Sequence, residues 1–478
     1  MNFYNFFTDD QKKNIHEASL TILEETGVLV KNKEAVEIFK ANGCQVDGQM
    51  VKFPRKVVAE KLSSVPPTFT FKAQNPDFDV TLPDSRPVIV TGSSAPNVVD
   101  PITGEERRGT SRDIANIGYL INELKGFDVF SISILADDAP PDMRSLYRFY
   151  PALKNCKKPV RSNTPTIPDL EKVLDMGYTI AGSEAAYMDR PFINHHYCPV
   201  ISPLTYDVES TESVIYLVKK GLPVYGTIVP NAGMTSPMSL LATLTLGNAE
   251  FLSLVVLMQS VRPGAEVIYA VLSTVADMRA GDYAPGAIET GILQMGHSEM
   301  ARFYKVPSGG YIGLTNSQSN DVQNGYETAM NTTGALLGGA DLFNMGGLLG
   351  GLMAFDFAKA VIDNEIALNL KHLRKGIPYQ EKDFCLDLIH QLGPAGNYMV
   401  QPHTAKNMRK VTHYPTIGVR GFRSKWEHEG KPEAKDQAYA LAKKILTQPN
   451  KSVFSAELDK KVRDHIPGLP AGDAVWYE

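Results

Sequence analysis

Four tyrosines, Tyr197, Tyr225, Tyr269 and Tyr311, fall at or near the ends of segments that read as β-strands. Aromatic faces gathered in a water-poor pocket hold a quaternary ammonium group by cation–π attraction. The competing reading is structural, because tyrosine is common in strands and its hydroxyl often meets only a backbone partner. The other strand ends bring amides and hydroxyls: Ser93, Ser94 and Asn97, then Asn163, Asn194, Thr227, Asn231, Ser273, Thr274, Thr315, Asn316, Gln318 and Asn344, with Arg161 and Met345 among them. Such a set binds and orients a small molecule. It is poor in pairs for acid–base or nucleophilic chemistry.

The pair His195-His196 invites a metal reading, but neighbours on a strand point to opposite faces, so only one of them enters a shared site. No HExxH is present and no other His stands at a strand end, which leaves too few ligands; no metal is expected. Cys198 has no accompanying Cys-His-Asn signature and reads as a small hydrophobe. Asp137 and Asp138 precede Pro140-Pro141, where a turn or cap competes with a general-base role.

The elements that would position these groups announce themselves by repetition. Pro159, Pro191 and Pro223 stand 32 residues apart, each closing a helix-like stretch and opening a strand that ends on polar residues. Strands are expected at Pro87–Ser93, Phe130–Ala136, Val160–Thr164, Phe192–Tyr197, Val224–Val229, Val267–Thr274, Gly309–Thr315 and Leu342–Met345, with helical segments between. Eight βα units without a GxGxxG or Walker-type loop favour a TIM (β/α)8 barrel, class α/β, over an open doubly wound sheet. The expected organisation is an N-terminal α+β cap over 1–85, the barrel over 86–375, and a C-terminal helical extension over 376–478.

Composition narrows the class. The 478 residues are 43% hydrophobic and 21% charged, ordinary for a soluble globular chain, and the net charge of −5 offers no basic footprint for nucleic acid or membrane. The opening segment lacks a charged n-region followed by an apolar h-region, so a cytoplasmic protein is expected. The most apolar long run, Leu240–Val261, carries Asn248, Glu250 and Gln259 and reads as a buried helix.

Several phrases resemble the trimethylamine methyltransferase superfamily. They include Gly-Leu-Pro-Val at Gly221–Val224, Gly-Met-Thr-Ser-Pro at Gly233–Pro237, Ala-Asp-Met-Arg-Ala-Gly at Ala276–Gly281, Gln-Asn-Gly-Tyr-Glu at Gln323–Glu327, Gly-Pro-Ala-Gly-Asn-Tyr at Gly393–Tyr398 and His-Thr-Ala-Lys-Asn-Met-Arg at His403–Arg409. The resemblance implies a TIM barrel and a methyltransferase that moves a methyl group from a methylated amine to the cob(I)alamin of a separate corrinoid protein. Founding members carry a pyrrolysine after strand seven, whereas Thr315–Glu327 here holds only standard residues. That implies a non-pyrrolysine relative acting on a quaternary amine such as glycine betaine, proline betaine or carnitine, in anaerobic methylamine metabolism. It further implies Tyr197, Tyr225, Tyr269 and Tyr311 around the cation, His195 or Arg279 facing the carboxylate, and Asn194, Asn316, Gln323 and Asn344 offering hydrogen bonds to substrate or corrin amides. Met345 stands where the family often has a polar residue. His403 and Arg409 are placed to dock the corrinoid protein or to tie the extension down, and a homo-oligomer is implied. The competing functions are a metal-dependent TIM-barrel hydrolase and a betaine-binding protein without turnover.

Overall fold

Strand and helix alternate eight times between Val88 and Leu373 in the computed structural model. The pairs are β1 (Val88–Val90) and α1 (Ser111–Glu123), β2 (Phe130–Ser131) and α2 (Arg144–Asn155), β3 (Val160–Ser162) and α3 (Ile167–Ala181), and β4 (Ile193–Tyr197) and α4 (Glu209–Lys220). They continue with β5 (Val224–Ile228) and α5 (Leu240–Val261), β6 (Ala270–Val271) and α6 (Ile288–Tyr304), β7 (Gly309–Tyr311) and α7 (Val322–Leu337), and β8 (Leu342–Asn344) and α8 (Phe357–Leu373). Each segment expected to form a strand contains one. The structure describes residues 3–449 and 452–477; Met1 and Asn2 of the opening segment lie outside the described residues, as do Asn450, Lys451 and Glu478.

The strands pair in parallel as a five-stranded sheet, β6-β5-β4-β3-β2, and a three-stranded sheet, β7-β8-β1. Register is set by pairs such as Arg161 with Asn194, His196 with Tyr225, and Tyr311 with Asn344. Isolated parallel bridges between Val90 and Val129 and between Tyr269 and Ser308 connect the two sheets. The chain is thus an α/β fold whose parallel sheet curls, with helices on its convex face. Proline suits each strand start because its missing N–H falls outside the ladder while its carbonyl still serves. Pro159 accepts from Phe130 N at 2.9 Å and Pro223 from His195 N at 3.0 Å.

Caps fix where the helices begin. Thr110 and Asp113 form a reciprocal capping box on α1, and Thr166, Ser239, Asp321 and Asp356 cap α3, α5, α7 and α8. By length and composition α5 could cross a membrane, but 78% of its most apolar window is enclosed by protein. The three polar residues that interrupt its apolar run are engaged. Asn248 donates to Ser19 and Tyr304, Gln259 to the Ala265 carbonyl, and Glu250 accepts from Ser202 and Leu204.

The concave face is filled at its amino end by an N-terminal hairpin, Phe69–Phe71 paired antiparallel with Val80–Leu82. Phe69, Phe71, Val80 and Leu82 pack with Val88, Val90, Val129, Tyr225, Ile268, Ala270 and Leu342 as one apolar cluster. The hairpin closes the interior of the sheet from its amino end. Residues 376–433 contribute almost nothing to the core: Ile377 is 97% exposed, Met399 83% and Phe422 85%. Beyond them Ala434–Leu446 packs on α8.

Candidate active site

A single guanidinium organises the middle of the concave face. Arg161 on β3 is fully buried, donates to the Tyr225 hydroxyl on β5, and reaches across to Asn344 Oδ1 on β8 at 2.9 Å. The Tyr225 ring receives that guanidinium 5.5 Å from its centroid, stacks on His196 at 6.1 Å, and meets the edges of Phe69 and Phe71. Burial pushes the Tyr225 phenol up to about 12, so it stays neutral beside the cation. Among the described residues no carboxylate lies within ion-pair distance of Arg161, and its Nε has no partner.

Above this floor three groups combine free surface with strong desolvation. Cys198, just past β4, is exposed yet has its thiol pKa raised by burial; its sulfur lies 2.8 Å from Thr227 Oγ1. Tyr311 at the end of β7 is half-buried, with its phenol raised by burial and its hydroxyl 3.4 Å from Ser93 Oγ. Tyr283, in the hairpin Thr274–Asp277/Asp282–Ala284 after β6, is likewise half-buried and raised by burial, then by Tyr311. These three partly open side chains outline a candidate recess at the carboxyl end of the strands.

The residues named from sequence divide by strand parity. On β4, Asn194 and His196 face the interior, while His195 and Tyr197 face the helices. His195 sits against Phe149 of α2 with both ring nitrogens unpartnered, and burial holds it down to about 3. Tyr197 bonds Thr164 Oγ1 at 2.8 Å. Tyr269 also faces helices, its ring against Phe251, His297 and Tyr304 and its hydroxyl donating to Asn248 at 2.9 Å. Neither Tyr197 nor Tyr269 therefore stands beside Tyr311. Arg279 projects into solvent with its side chain 90% exposed, paired with Asp277. Met345 is buried, its backbone bonded to Val90.

The amide residues act mostly as braces. Asn194 donates to the Lys72 carbonyl at 2.9 Å and accepts from Lys72 N at 3.1 Å, fastening the hairpin that plugs the sheet. Asn316 donates to the Tyr283 carbonyl at 3.0 Å and accepts from Gly286 N at 2.8 Å, so it holds the Tyr283 loop in place. Gln323 donates to Glu327, which also accepts from Thr315 and the Asn316 backbone. A side chain at Gly286 would put its Cβ 2.3 Å from Glu327 Oε2, so this loop closes only over glycine. On the C-terminal segment His403 lies 3.3 Å from Cys385, far in sequence from every strand end. Tyr283 escaped sequence reading because it sits on a hairpin inserted after β6 rather than at the end of one of the eight strands, though the preceding Ala276–Gly281 phrase marks the loop. Among the described residues no group of three or more His, Cys, Asp or Glu is arranged to hold a metal ion.

The profile of the family described as "Trimethylamine methyltransferase (MTTB)" matches residues 1–468. The chain belongs to that family. It is 32% identical over 466 residues to a glycine betaine methyltransferase of Desulfitobacterium hafniense strain Y51, covering 97% of this chain and 96% of that one. It is 30% identical over 442 residues to trimethylamine methyltransferase MttB of D. hafniense strain DCB-2, covering 92% and 89%. The crystal structure of Methanosarcina barkeri monomethylamine methyltransferase (MtmB) superposes with a TM-score of 0.50 over 93% of both chains at 13% identity, a likeness of fold. The candidate recess offers ring faces, a thiol and hydroxyls above a buried cation.

Proposed function

We propose that the chain moves a methyl group from a quaternary amine to a corrinoid carried by a partner protein. The observation that carries this reading is the pair of half-buried tyrosines, Tyr283 and Tyr311, at the carboxyl end of the strands in a member of the trimethylamine methyltransferase family. Its relative is named for glycine betaine, and a quaternary nitrogen is already a good leaving group that departs as a neutral tertiary amine without protonation. The corrinoid supplies a low-valent cobalt able to accept the methyl group. The work left to this chain is positioning: ring faces hold the cation, the plugged sheet excludes water from one side, and the donor's methyl faces the open side.

The surface around the recess suits such a partner. Met234, Met238 and Met278, from connections after β5 and β6, are 57%, 66% and 61% exposed, and Met278 shares its hairpin with Tyr283. Flexible thioethers adapt to a large apolar face and its carrier. We further read the eight strands as a closed (β/α)8 barrel over 86–375, between a cap at 1–85 and an extension at 376–478; the two bridges joining the sheets support closure. Four free cysteines fit a reducing cytoplasm, and the exposed apolar side chains of 376–433 fit burial against another copy in a homo-oligomer.

The test is product analysis. The purified chain, reduced cobalamin and a trimethylated amine are incubated anaerobically and followed by proton NMR. The reading expects the trimethyl signal to convert to that of the dimethyl product; a signal unchanged across a panel of quaternary amines would overturn it.

A further inference from the structure

Arg161 is a fully buried charge with no carboxylate partner among the described residues. A guanidinium is protonated at any physiological pH, and burying one without a counter-ion is costly, so folded proteins keep such groups chiefly where they serve a ligand. Its two Nη atoms are held by neutral oxygens of Tyr225 and Asn344, which orient the charge without cancelling it. The groups above it, Cys198, Tyr311 and His196, are neutral too, and burial followed by the Arg161 charge keeps His196 well below its usual range. The other cation considered for binding an anion, Arg279, is solvated and already paired with Asp277.

We propose that Arg161 is a specificity-determining residue that selects zwitterionic methyl donors, quaternary amines carrying a carboxylate. This rests on the methyl-transfer reading above and extends it to substrate class. The buried positive charge draws the carboxylate toward the floor of the recess and repels the ammonium, so the methyl groups point to the open carboxyl side of the strands. In a water-poor site the field acts over several ångströms, and no direct contact is required. The same charge disfavours a cation that brings no carboxylate. Tyr225, whose ring face is occupied by Arg161 and His196, positions the guanidinium and leaves Tyr283 and Tyr311 to hold the ammonium.

The test compares glycine betaine with choline and tetramethylammonium on the full chain, by calorimetric binding and by methylation of cob(I)alamin. Wild type is expected to favour the zwitterion, and Arg161→Gln to lower the zwitterion-to-cation affinity ratio by roughly 100-fold, as removal of one partner of a desolvated charge pair does. The loss should appear in KM and binding more than in kcat. Tyr225→Phe keeps the ring and frees one Nη, so it should shift the same ratio in the same direction by a smaller factor, and thermal melting shows whether either variant is folded. Equal losses on zwitterion and cation, or a wild type that binds and demethylates choline as well as betaine, would overturn the role of Arg161 while leaving methyl transfer standing. Failure of every quaternary amine to bind would remove both.

Discussion

Tyr283 and Tyr311 are the proposed holders of the cation, and Asn316 and Asn194 brace the segments around them. Each aromatic face contributes about 0.5–2 kcal/mol to holding a cation. Tyr283→Leu should therefore weaken binding of a quaternary amine by roughly 3- to 30-fold, while Tyr283→Phe keeps most of it, as titration calorimetry can show. An equal loss in both variants would mean the hydroxyl, not the ring, does the work. Of the tyrosines read from sequence, Tyr311 lines the recess and Tyr225 lies beneath it, whereas Tyr197 and Tyr269 turn to the helices. The reason is parity. Strands of two to five residues give no periodicity from which the inward face can be read, and one register step exchanges His195 for His196. Arg161 stood among the strand-end polar residues, but its isolation from any carboxylate is a fact of three dimensions.

Among the elements, the βα repeat was legible because prolines precede β1, β3, β4, β5 and β7 and side-chain oxygens cap α1, α3, α5, α7 and α8. Strand ends were less so. The expected Phe130–Ala136 shortens to Phe130–Ser131 and Val267–Thr274 to Ala270–Val271. Helix α5 carries a testable electrostatic cost. Burial pushes Glu250 up from 4.5 to about 7, so between those values the folded state holds a proton that the unfolded state has released. Its contribution to stability is fully present below pH 4.5 and lost as the pH rises through 7. Glu250→Gln preserves the links to Ser202 and Leu204 without the charge. It should be more stable than wild type at pH 8 by on the order of 1–3 kcal/mol, and the gap should close toward pH 5 in paired denaturation curves. A pH-independent difference would contradict this.

At the scale of the whole molecule, residues 376–433 have secondary structure but almost no core of their own, an unfavourable state for a lone chain that must meet the entropy of ordering them. Sedimentation should return a mass that is a multiple of 52.5 kDa, and Phe422→Asp together with Val400→Asp should lower it toward one chain. A wild-type mass of one chain would contradict the assembly. The central claim is methyl transfer to cobalt, and it is tested most directly by mixing the protein with cob(I)alamin and glycine betaine under strict anaerobic conditions and recording the visible spectrum. The cob(I)alamin absorption is expected to fall as the methylcobalamin spectrum rises, at a rate proportional to protein and abolished without the donor. A cob(I)alamin spectrum that persists with betaine and with every other quaternary amine would contradict it.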